Sequence, residues 1–485
     1  MNQLSLKNLI FLNFIFVFIT SSAQQPGSFD NSFQIGTGTN ALVTAITIQS
    51  DNRILIGGGF NDYKGVSRRK ITRILPNGSN DFTFNSGISF EGQDSLVLSI
   101  KLQNDSSILV GGSFNSYQGI PINNIARLKT NGDLDTSFHS GIGADERVID
   151  IALQSDGKII LGGYFNTYDG VSSNGIIRLN PNGTIDTSFH TGNGTGTGVH
   201  TGVHKIRIQD DGKILIVGLF DSYNLNPRNY IARLNADGTI DPSFNPGINI
   251  IGGNVNSCAI QSDGKILIGG SFHHYGTSIA AGIMRLNQDG ALDNSFDSNP
   301  GVVAGSLPYL NVDEIGLQED GRIIISGYFM SYNGVLRNNI TRINSDGSID
   351  LTFNVGNGLN GYANSLYLQN DGKVLIGGQF QTYNQQNAPH IVRLNGGTDF
   401  ANISQSDVKN SILIYPNPAS SFIQISNIPE TAIIQLIDLN GRLIFEVLAG
   451  QNPFLDISNL RNGFYSITIQ LTDQTKSQHK LLIQH

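Results

Sequence analysis

The stretch that decides the fold is VIDIALQSDGKIILGGYFNTYDGVSSNGIIRLNPNGTIDTSF (148–189). It contains four short apolar runs, separated by the turns SDG (155–157) and PNG (181–183) and by one longer loop. Runs of this length that are rich in Ile, Leu and Val and are separated by Asp-Gly or Asn-Gly are typical of hairpin strands. A three-residue loop ending in glycine suits a left-handed last residue, which glycine adopts without steric cost. The stretch therefore predicts a four-stranded antiparallel sheet.

The same pattern returns seven times with a fixed internal spacing. In every copy a tyrosine stands three residues after a phenylalanine and an arginine thirteen residues after it. The phenylalanines are Phe60, Phe114, Phe165, Phe220, Phe272, Phe329 and Phe380. The tyrosines are Tyr63, Tyr117, Tyr168, Tyr223, Tyr275, Tyr332 and Tyr383. The arginines are Arg73, Arg127, Arg178, Arg233, Arg285, Arg342 and Arg393.

Such sheets, apolar on both faces, must be covered on both sides, which radial stacking around an axis achieves. The fourth-strand motif Asp-x-Ser/Thr-Phe is missing after Arg393 but is present near the N-terminus, in GSFDNSF (27–33). We therefore predict an all-β fold, a seven-bladed β-propeller over residues 24–395 with four-stranded antiparallel blades, closed by the N-terminal strand. An open solenoid of the same units is the alternative.

The repeated polar residues have a structural and a functional interpretation. Each arginine precedes an aspartate by eight residues, which places the two opposite each other across a three-residue turn. We interpret them as one structural ion pair per blade, with Arg393 pairing to Asp30, rather than as seven ligand-binding charges. We interpret the phenylalanines and tyrosines as packing, although the tyrosines could line a shared carbohydrate-binding surface. The Asp-Gly turns lack the oxygen ligands of a calcium loop and indicate turn chemistry.

The N-terminus and the composition indicate the setting. Lys7, the mostly apolar run 9–19 and the small residues 21–23 predict a signal peptide over 1–23, with a retained anchor as the alternative. No later segment is apolar and long enough to span a membrane. The net charge of −8, without a Lys/Arg cluster, argues against nucleic-acid binding. Cys258 is the one cysteine, which excludes disulfides within the chain and cysteine-based metal sites.

Tight turns on one face leave the long loops on the other, where recognition residues are usual. The most variable loops are 85–95, 190–204 and 297–313. The second contains His190, His200 and His204, but nothing fixes them as metal ligands. We therefore assign no catalytic, cofactor-binding or metal-ligating residue and no cofactor.

The strings RLNADGTIDPSF (233–244) and QSDGKILIGGSF (261–272) resemble the delta-sixty repeat family of secreted bacterial β-propellers. The resemblance covers about residues 27–395. It implies the propeller fold and an extracellular setting, but not a ligand.

A second domain follows a polar linker (396–410), because the repeat ends there and short alternating strands begin. Residues 411–485 predict a small β-sandwich, with a carbohydrate-binding sandwich as one interpretation. The segment resembles the type A C-terminal sorting domain of the type IX (Por) secretion system. The resemblance is carried by four blocks: Tyr415 to Pro418, Asp438 to Gly441, Leu460 with Asn462, Gly463 and Tyr465, and Lys480. It implies export by the type IX machinery through residues 411–485, followed by release or by tethering to the outer-membrane surface.

The sequence thus predicts a secreted or surface-tethered propeller that acts as a binding or structural module, with an extracellular glycan or a surface protein as partner. The alternative is a polysaccharide-acting lyase or hydrolase with its site on the loop face. Carboxylates, His or Tyr that converge near the axis outside the repeat positions would favour the enzyme. A flat or uniform seven-fold face would favour binding.

Overall fold

The computed structural model describes residues 25–85, 90–92, 94–196, 201–298, 300–305 and 309–397 and, with short gaps, 413–483. The chain divides into two compact units, Met1–Thr398 and Asp399–His485. Every regular element in the described residues is a β-strand, and this part of the chain contains no helix able to cross a membrane. The predicted signal peptide (1–23) and linker residues 398–410 lie outside the described residues.

Each of the seven repeats in the first unit forms a three-stranded antiparallel sheet in the order first, second, third strand. The first strands are Val43–Ile48, Leu96–Leu102, Val148–Leu153, Gly202–Ile208, Val255–Ile260, Asn311–Leu317 and Tyr362–Leu368. The second strands are Ile54–Gly58, Ile108–Ser113, Ile159–Gly163, Ile214–Leu219, Ile266–Gly270, Ile323–Tyr328 and Val374–Gln379. The third strands are Ile71–Ile74, Ile125–Leu128, Ile176–Leu179, Ile231–Leu234, Ile283–Leu286, Ile340–Ile343 and Ile391–Leu394.

The predicted fourth strand is reduced to a single bridge, such as Leu179 with Ile185. In the third repeat an Asp186 carboxylate oxygen accepts the backbone N–H of Ser188 at 3.0 Å and its hydroxyl at 2.7 Å. The Phe189 N–H also donates to the Asp186 carbonyl. These bonds fold the chain into a turn where the apolar spacing predicted an extended strand. The prediction of four-stranded blades is therefore wrong for the regular sheets.

A small hairpin joins the second and third strands, where the sequence pattern predicts a loop. Its strands are Asp62–Tyr63 with Val66–Ser67, Ser116–Tyr117 with Ile120–Pro121, Thr167–Tyr168 with Val171–Ser172, Ser222–Tyr223 with Asn226–Pro227, His274–Tyr275 with Ser278–Ile279, Ser331–Tyr332 with Val335–Leu336, and Thr382–Tyr383 with Gln386–Asn387. In three repeats a short strand from the preceding loop joins this hairpin: Phe90–Glu91, Ile250–Ile251 and Val302–Val303.

The turns between first and second strands have the predicted left-handed residue. Gly157 has φ +83°, and Asn52 and Ser106, which replace glycine in the first two repeats, have φ +63° and +66°. Asparagine tolerates positive φ better than most residues, whereas serine adopts it only at a steric cost. The turn geometry is thus kept even where the residue does not favour it.

The second strand of the third repeat ends in two glycines, Gly162 and Gly163, and Gly163 is required for a reason other than its φ angle. Every first strand has a bulge after its first or second residue, for example between Val148 and Asp150. The bulge brings the Arg147 carbonyl oxygen within 2.2 Å of the point where a Cβ on Gly163 would stand. Only glycine fits at such a distance. The same approach occurs at 2.0–2.2 Å in every repeat, at Gly58, Gly112, Gly163, Gly218, Gly270, Gly327 and Gly378.

Each first strand lies beside the first strand of the next repeat, and that of the seventh repeat lies beside that of the first. We call the space between these seven strands the axis. Buried side chains pack between neighbouring repeats, and one core cluster joins Val43 and Ile56 of the first repeat to Val374 and Ile376 of the seventh. At the N-terminus, Phe29 bridges Leu394.

The second unit contains two antiparallel sheets. One has the strands Leu413–Tyr415, Phe422–Ser426 and Phe454–Asp456, and the other has Ile433–Asp438, Leu443–Leu448, Gly463–Gln470 and Lys476–Ile483. Buried residues from both sheets, including Ile423, Ile434 and Ile467, belong to one core cluster. Residues 416–418 and 439–441 of the sorting-domain motif lie outside the described residues.

Candidate functional site

The repeated arginines form ion pairs and hydrogen bonds within the protein. In the third repeat, Arg178 Nε donates to Asp186 Oδ2 at 2.7 Å, and the guanidinium lies over the Phe189 ring, 4.6 Å from its centroid. A further guanidinium N–H donates to the carbonyl of Ala236, in a turn of the following repeat. The predicted ion pairs are present in all seven repeats, including Arg393 with Asp30 at 2.7 Å. These residues therefore hold neighbouring repeats together, as the structural interpretation predicts.

The repeated tyrosines are also structural. Six are buried, namely Tyr63, Tyr117, Tyr168, Tyr223, Tyr332 and Tyr383. The Tyr63 hydroxyl donates to the Gly78 carbonyl at 2.7 Å, and the Tyr383 hydroxyl donates to the Gly27 carbonyl of the N-terminal segment. Buried hydroxyls that are satisfied by the backbone stabilise turns and are not accessible to a ligand. The carbohydrate-surface interpretation of these tyrosines is wrong.

Polar residues that do not follow the repeat meet at the loop-face end of the axis. His204, Asn256 and Asp313 occupy equivalent positions near the starts of three successive first strands. His204 Nε2 lies 2.8 Å from the Tyr164 hydroxyl, and His204 Nδ1 lies 3.1 Å from Asn256 Oδ1. Asn256 Nδ2 in turn donates to Asp313 Oδ1 at 3.2 Å. Together with Asn254 and Asn311, which bond to Asn256, we call these residues the axial network.

Two members of the network have displaced pKa values. Burial, helped by the nearby charge of Glu314, raises the pKa of Asp313 to about 7, although the Asn256 hydrogen bond and Lys205 oppose the shift. Burial lowers the pKa of His204 to about 4, so its imidazole is neutral at pH 7. Glu314 forms an ion pair with Lys205. Asp313 is therefore a carboxyl group that exchanges its proton near neutral pH.

A group of three tyrosines lies beside the network, and we call it the tyrosine cluster: Tyr309, Tyr328 and Tyr362. The rings of Tyr328 and Tyr362 are stacked with centroids 3.9 Å apart, and the Tyr309 and Tyr362 hydroxyls are hydrogen-bonded. Tyr309 is 51% exposed. It borders a cavity of about 370 Å³ that Asn254, Asn311 and His273 also line. The cavity therefore combines an aromatic wall with amide side chains.

The loops singled out in the sequence contribute to this end of the axis only in part. Tyr309 and Asp313 come from loop 297–313 and His204 from loop 190–204, whereas His190 is exposed on the surface. His200, with residues 86–89, 93, 197–199, 299 and 306–308, lies outside the described residues. Among the described residues, no group of three His, Cys, Asp or Glu side chains is placed to hold a metal ion. The Asp-Gly aspartates serve the turns, since Asp156 Oδ1 accepts the Lys158 N–H at 3.1 Å.

Apart from His204, the members of the axial network were not singled out from the sequence, although a signal was present. First strands are mainly apolar, and Asp150, His204, Lys205, Asp313 and Glu314 interrupt them. Each interrupted position is charged in at most three of the seven repeats, so a search for features common to all seven does not find it. Aligning the repeats and reading down the first strand would have found these residues.

Comparison with known proteins agrees with this architecture. Residues 49–84, 103–138, 154–189, 209–244, 261–296, 318–353 and 369–396, together half of the chain, match the family described as "Domain of unknown function (DUF5122) beta-propeller". Residues 413–484 match a secretion system C-terminal sorting domain. No curated protein matches the chain.

Several solved structures are similar at low identity. They include PorZ, described as an essential bacterial surface component of the type IX secretion system of Porphyromonas gingivalis (14% identity, 93% of this chain, 60% of that chain, TM-score 0.45). Another is the extracellular domain of a putative one-component system of B. thetaiotaomicron (14%, 94% and 58%, TM-score 0.42). A third is catalytically inactive virginiamycin B lyase from Staphylococcus aureus (10%, 74% and 97%, TM-score 0.38). The chain spans less than two thirds of the length of the first two.

The sorting domain implies recognition by the type IX secretion machinery, and it places the protein outside the cell or on the outer-membrane surface. The seven matched repeats, the all-β structure and the internal role of the repeated residues all agree with one assignment. The chain belongs to the DUF5122 β-propeller family and carries a type IX C-terminal sorting domain.

Proposed function

We propose that the protein is an extracellular binding module whose ligand is a glycan held at the loop-face end of the axis. The observation that carries the proposal is the cavity beside the tyrosine cluster, because its lining departs from the seven-fold repeat. Exposed tyrosine offers an apolar ring face with a polar tip, and the Asn254 and Asn311 amides offer donors and acceptors. A concave site with a few polar groups suits a small ligand such as a sugar unit better than a flat protein surface.

We also infer the finer architecture around this site. The first unit is a closed ring of seven blades, in which the N-terminal segment supplies the outer edge of the seventh. The inference is supported by the Asp30–Arg393 ion pair and by the Arg393 guanidinium, whose Nη1 donates to the Pro76 carbonyl of the first repeat at 2.6 Å. The second unit is a small β-sandwich, which its shared core supports. The domain limits are 24–395 for the propeller and 411–485 for the sorting domain.

The glycan proposal is tested with residues 24–485 on an array of extracellular polysaccharides and surface proteins. Substituting Tyr309→Ala removes the exposed ring of the cluster, and we expect it to weaken glycan binding about tenfold or more. Phe82→Ala is the matched control, because Phe82 is an exposed aromatic (74%) in the outer turn of the first repeat. Its binding should equal that of the parent. Binding to a surface protein alone, or equal loss in both variants, would refute the glycan assignment.

A second candidate function is a polysaccharide lyase or hydrolase, and a specific observation favours it. Tyr164, His204 and Asp313 lie near the axis outside the repeat positions, which is the arrangement expected of an enzyme. With its pKa at about 7, Asp313 exchanges a proton at the pH where such catalysis operates. In a lyase reaction it would remove the proton from the carbon next to a uronate carboxylate. A carbon–carbon double bond would form as the bond from the following carbon to the sugar oxygen breaks, and the departing oxygen would take a proton from water.

Under this candidate, Asp313→Asn should lower the rate of polysaccharide cleavage by about 10²–10⁴-fold. The rate of the parent should rise as the pH passes through about 7, because a general base must be deprotonated. The raised pKa also means that ionised Asp313 destabilises the fold above pH 7, so the neutral variant should melt no lower than the parent at pH 8. Cleavage that is unchanged in a folded Asp313→Asn protein would exclude the role. Absence of cleavage on a panel that shows binding would leave the binding function alone.

A further inference from the structure

We propose that the turn-face end of the axis is a second ligand site, which binds the carboxylate of a small acidic sugar through Lys101 and Arg207. This site is separate from the cavity at the tyrosine cluster. Arg207 follows His204 by three residues in the same first strand, which places it about 10 Å further along the axis. Lys101 occupies the equivalent position in the first strand of the second repeat.

Both cations face one carboxylate without hydrogen-bonding to it. Lys101 Nζ lies 3.9 Å from Asp150 Oδ1, and Arg207 Nη1 lies 4.0 Å from Asp150 Oδ2. Such distances allow charge attraction but are too long for hydrogen bonds. Asp150 instead accepts the Ile206 N–H at 2.9 Å and the Ser99 hydroxyl at 3.4 Å. The carboxylate is therefore occupied in joining the first strands of neighbouring repeats.

The cationic groups consequently retain donors for a ligand. Among the described residues, the one hydrogen-bond acceptor of the Arg207 guanidinium is the Ile206 carbonyl, at 3.0 Å. Lys101 makes no hydrogen bond within the same described part of the chain. Their side chains are 31% and 39% exposed, so solvent reaches both. An oxyanion accepts charge-assisted hydrogen bonds from such groups strongly.

The charge of this region also favours an anion. Lys205 forms an ion pair with Glu314, so Lys101 and Arg207 share the single carboxylate of Asp150. Two cations beside one carboxylate favour an oxyanion that accepts hydrogen bonds from both.

The adjoining cavity indicates the size and character of the ligand. It has a volume of about 640 Å³, and Arg207 lines it with Gln209, Gln261 and Gln288 and with the apolar Ile260 and Leu317. The volume suits a small organic molecule better than a bare ion. Lys101 does not line this cavity, so it would contact only the part of the ligand that extends past Arg207 toward the axis. Asp210 and Asp211 do line it: Asp211 Oδ2 lies 3.5 Å from Lys213 Nζ, and because the Asp210 carboxylate repels an anion, the ligand's carboxylate would lie on the Arg207 side. Amides and an apolar wall beside a cation fit one sugar ring that carries a carboxylate.

The test is isothermal titration calorimetry of residues 24–485 with D-glucuronate, D-glucose and sulfate at low ionic strength. We expect glucuronate to bind, glucose not to bind, and sulfate to bind more weakly than glucuronate. Lys101→Gln and Arg207→Gln should each weaken glucuronate binding about tenfold or more, whereas Lys129→Gln, at an exposed lysine on the outer turn of the second repeat, should leave it unchanged. Added salt should weaken binding, since the recognition is electrostatic.

Equal binding of glucuronate and glucose would overturn the proposal, as would glucuronate binding that Lys101→Gln leaves intact. Sulfate binding as tight as that of glucuronate would overturn the acidic-sugar assignment. Because a variant could fail to fold, Lys101→Arg, which keeps the charge, should retain binding, and glucuronate should raise the melting temperature of the unaltered chain. Tyr309→Ala should not affect glucuronate binding at this site, which separates this test from that of the proposed function.

Discussion

Replacing Asp30 with alanine should destabilise the propeller unit by about 3–5 kcal/mol, because it leaves a buried cation without its partner. Asp30 is 1% exposed and lies 2.7 Å from Arg393 and 3.0 Å from Lys373. The measurement is chemical unfolding at pH 7, followed by protease sensitivity of the N-terminal segment. Asp51→Ala is the control, since Asp51 also pairs with an arginine but its side chain is 52% exposed. Its loss should cost less than about 1 kcal/mol.

The effect of Asp30→Ala should depend on pH in a defined direction. Burial alone would raise the pKa of Asp30, but hydrogen bonds from Ser32 and Lys373 and the charge of Arg393 hold it at about 2. Because this value lies below that of an unfolded aspartate, the stabilisation is complete above about pH 4 and is lost as the pH falls through 2. The difference between parent and variant should therefore shrink between pH 4 and pH 2. A constant difference, or a variant as stable as the parent at pH 7, would contradict the inferred ring closure.

Gly163→Ala should be the most disruptive of the small substitutions, with an expected cost of about 3 kcal/mol or more. The added methyl group would stand 2.2 Å from the Arg147 carbonyl oxygen, so the backbone of the bulge would have to move. We expect a large fall in melting temperature or loss of soluble protein. The neighbouring Gly162→Ala is the matched control, because its methyl would meet only the side chains of Val203 and Ile206.

The control has a natural precedent within the chain. The position of Gly162 is taken by Val217 in the fourth repeat and by Ser326 in the sixth, both buried. A side chain is thus accepted there when its neighbours adjust. Equal stabilities of the Gly162→Ala and Gly163→Ala proteins would show that the close approach of the Arg147 carbonyl does not select glycine.

The repeat pattern predicts the parts of the fold that every copy shares. Strand positions, the left-handed turns and the Arg178–Asp186 type of ion pair follow from spacing, because each depends on residues close in sequence. The fourth strand could not be predicted in the same way. Its apolar residues have strand spacing, but the Asp186 carboxylate captures the Ser188 N–H and turns the chain, and that competition is decided by side-chain geometry.

The repeat pattern does not predict the two candidate sites, and the reason differs from that for the fourth strand. His204 and Asp313 come from different repeats and are linked through Asn256, and Asp150 contacts Arg207 of the next repeat, only because neighbouring first strands lie side by side. Residues about 50 positions apart in sequence become neighbours through radial packing, and no local pattern records this. The displaced pKa of Asp313 likewise depends on burial and on Glu314, so it follows from the assembled structure.

The bonds between residues 27–30 and 393–395 have a consequence for how the protein is made and exported. Asp30 and Arg393 are 363 positions apart. Residues 27–30 are synthesised and translocated before residues 393–395. They therefore have no partner until nearly all of the repeats have been made. Stacking of early repeats can begin sooner, but we expect residues 27–30 to pair with residues 393–395 late and slowly, because contacts between residues far apart in sequence are the costly ones to form. The sorting domain follows residues 393–395 in the chain. It therefore emerges only when every residue of the propeller is available to fold.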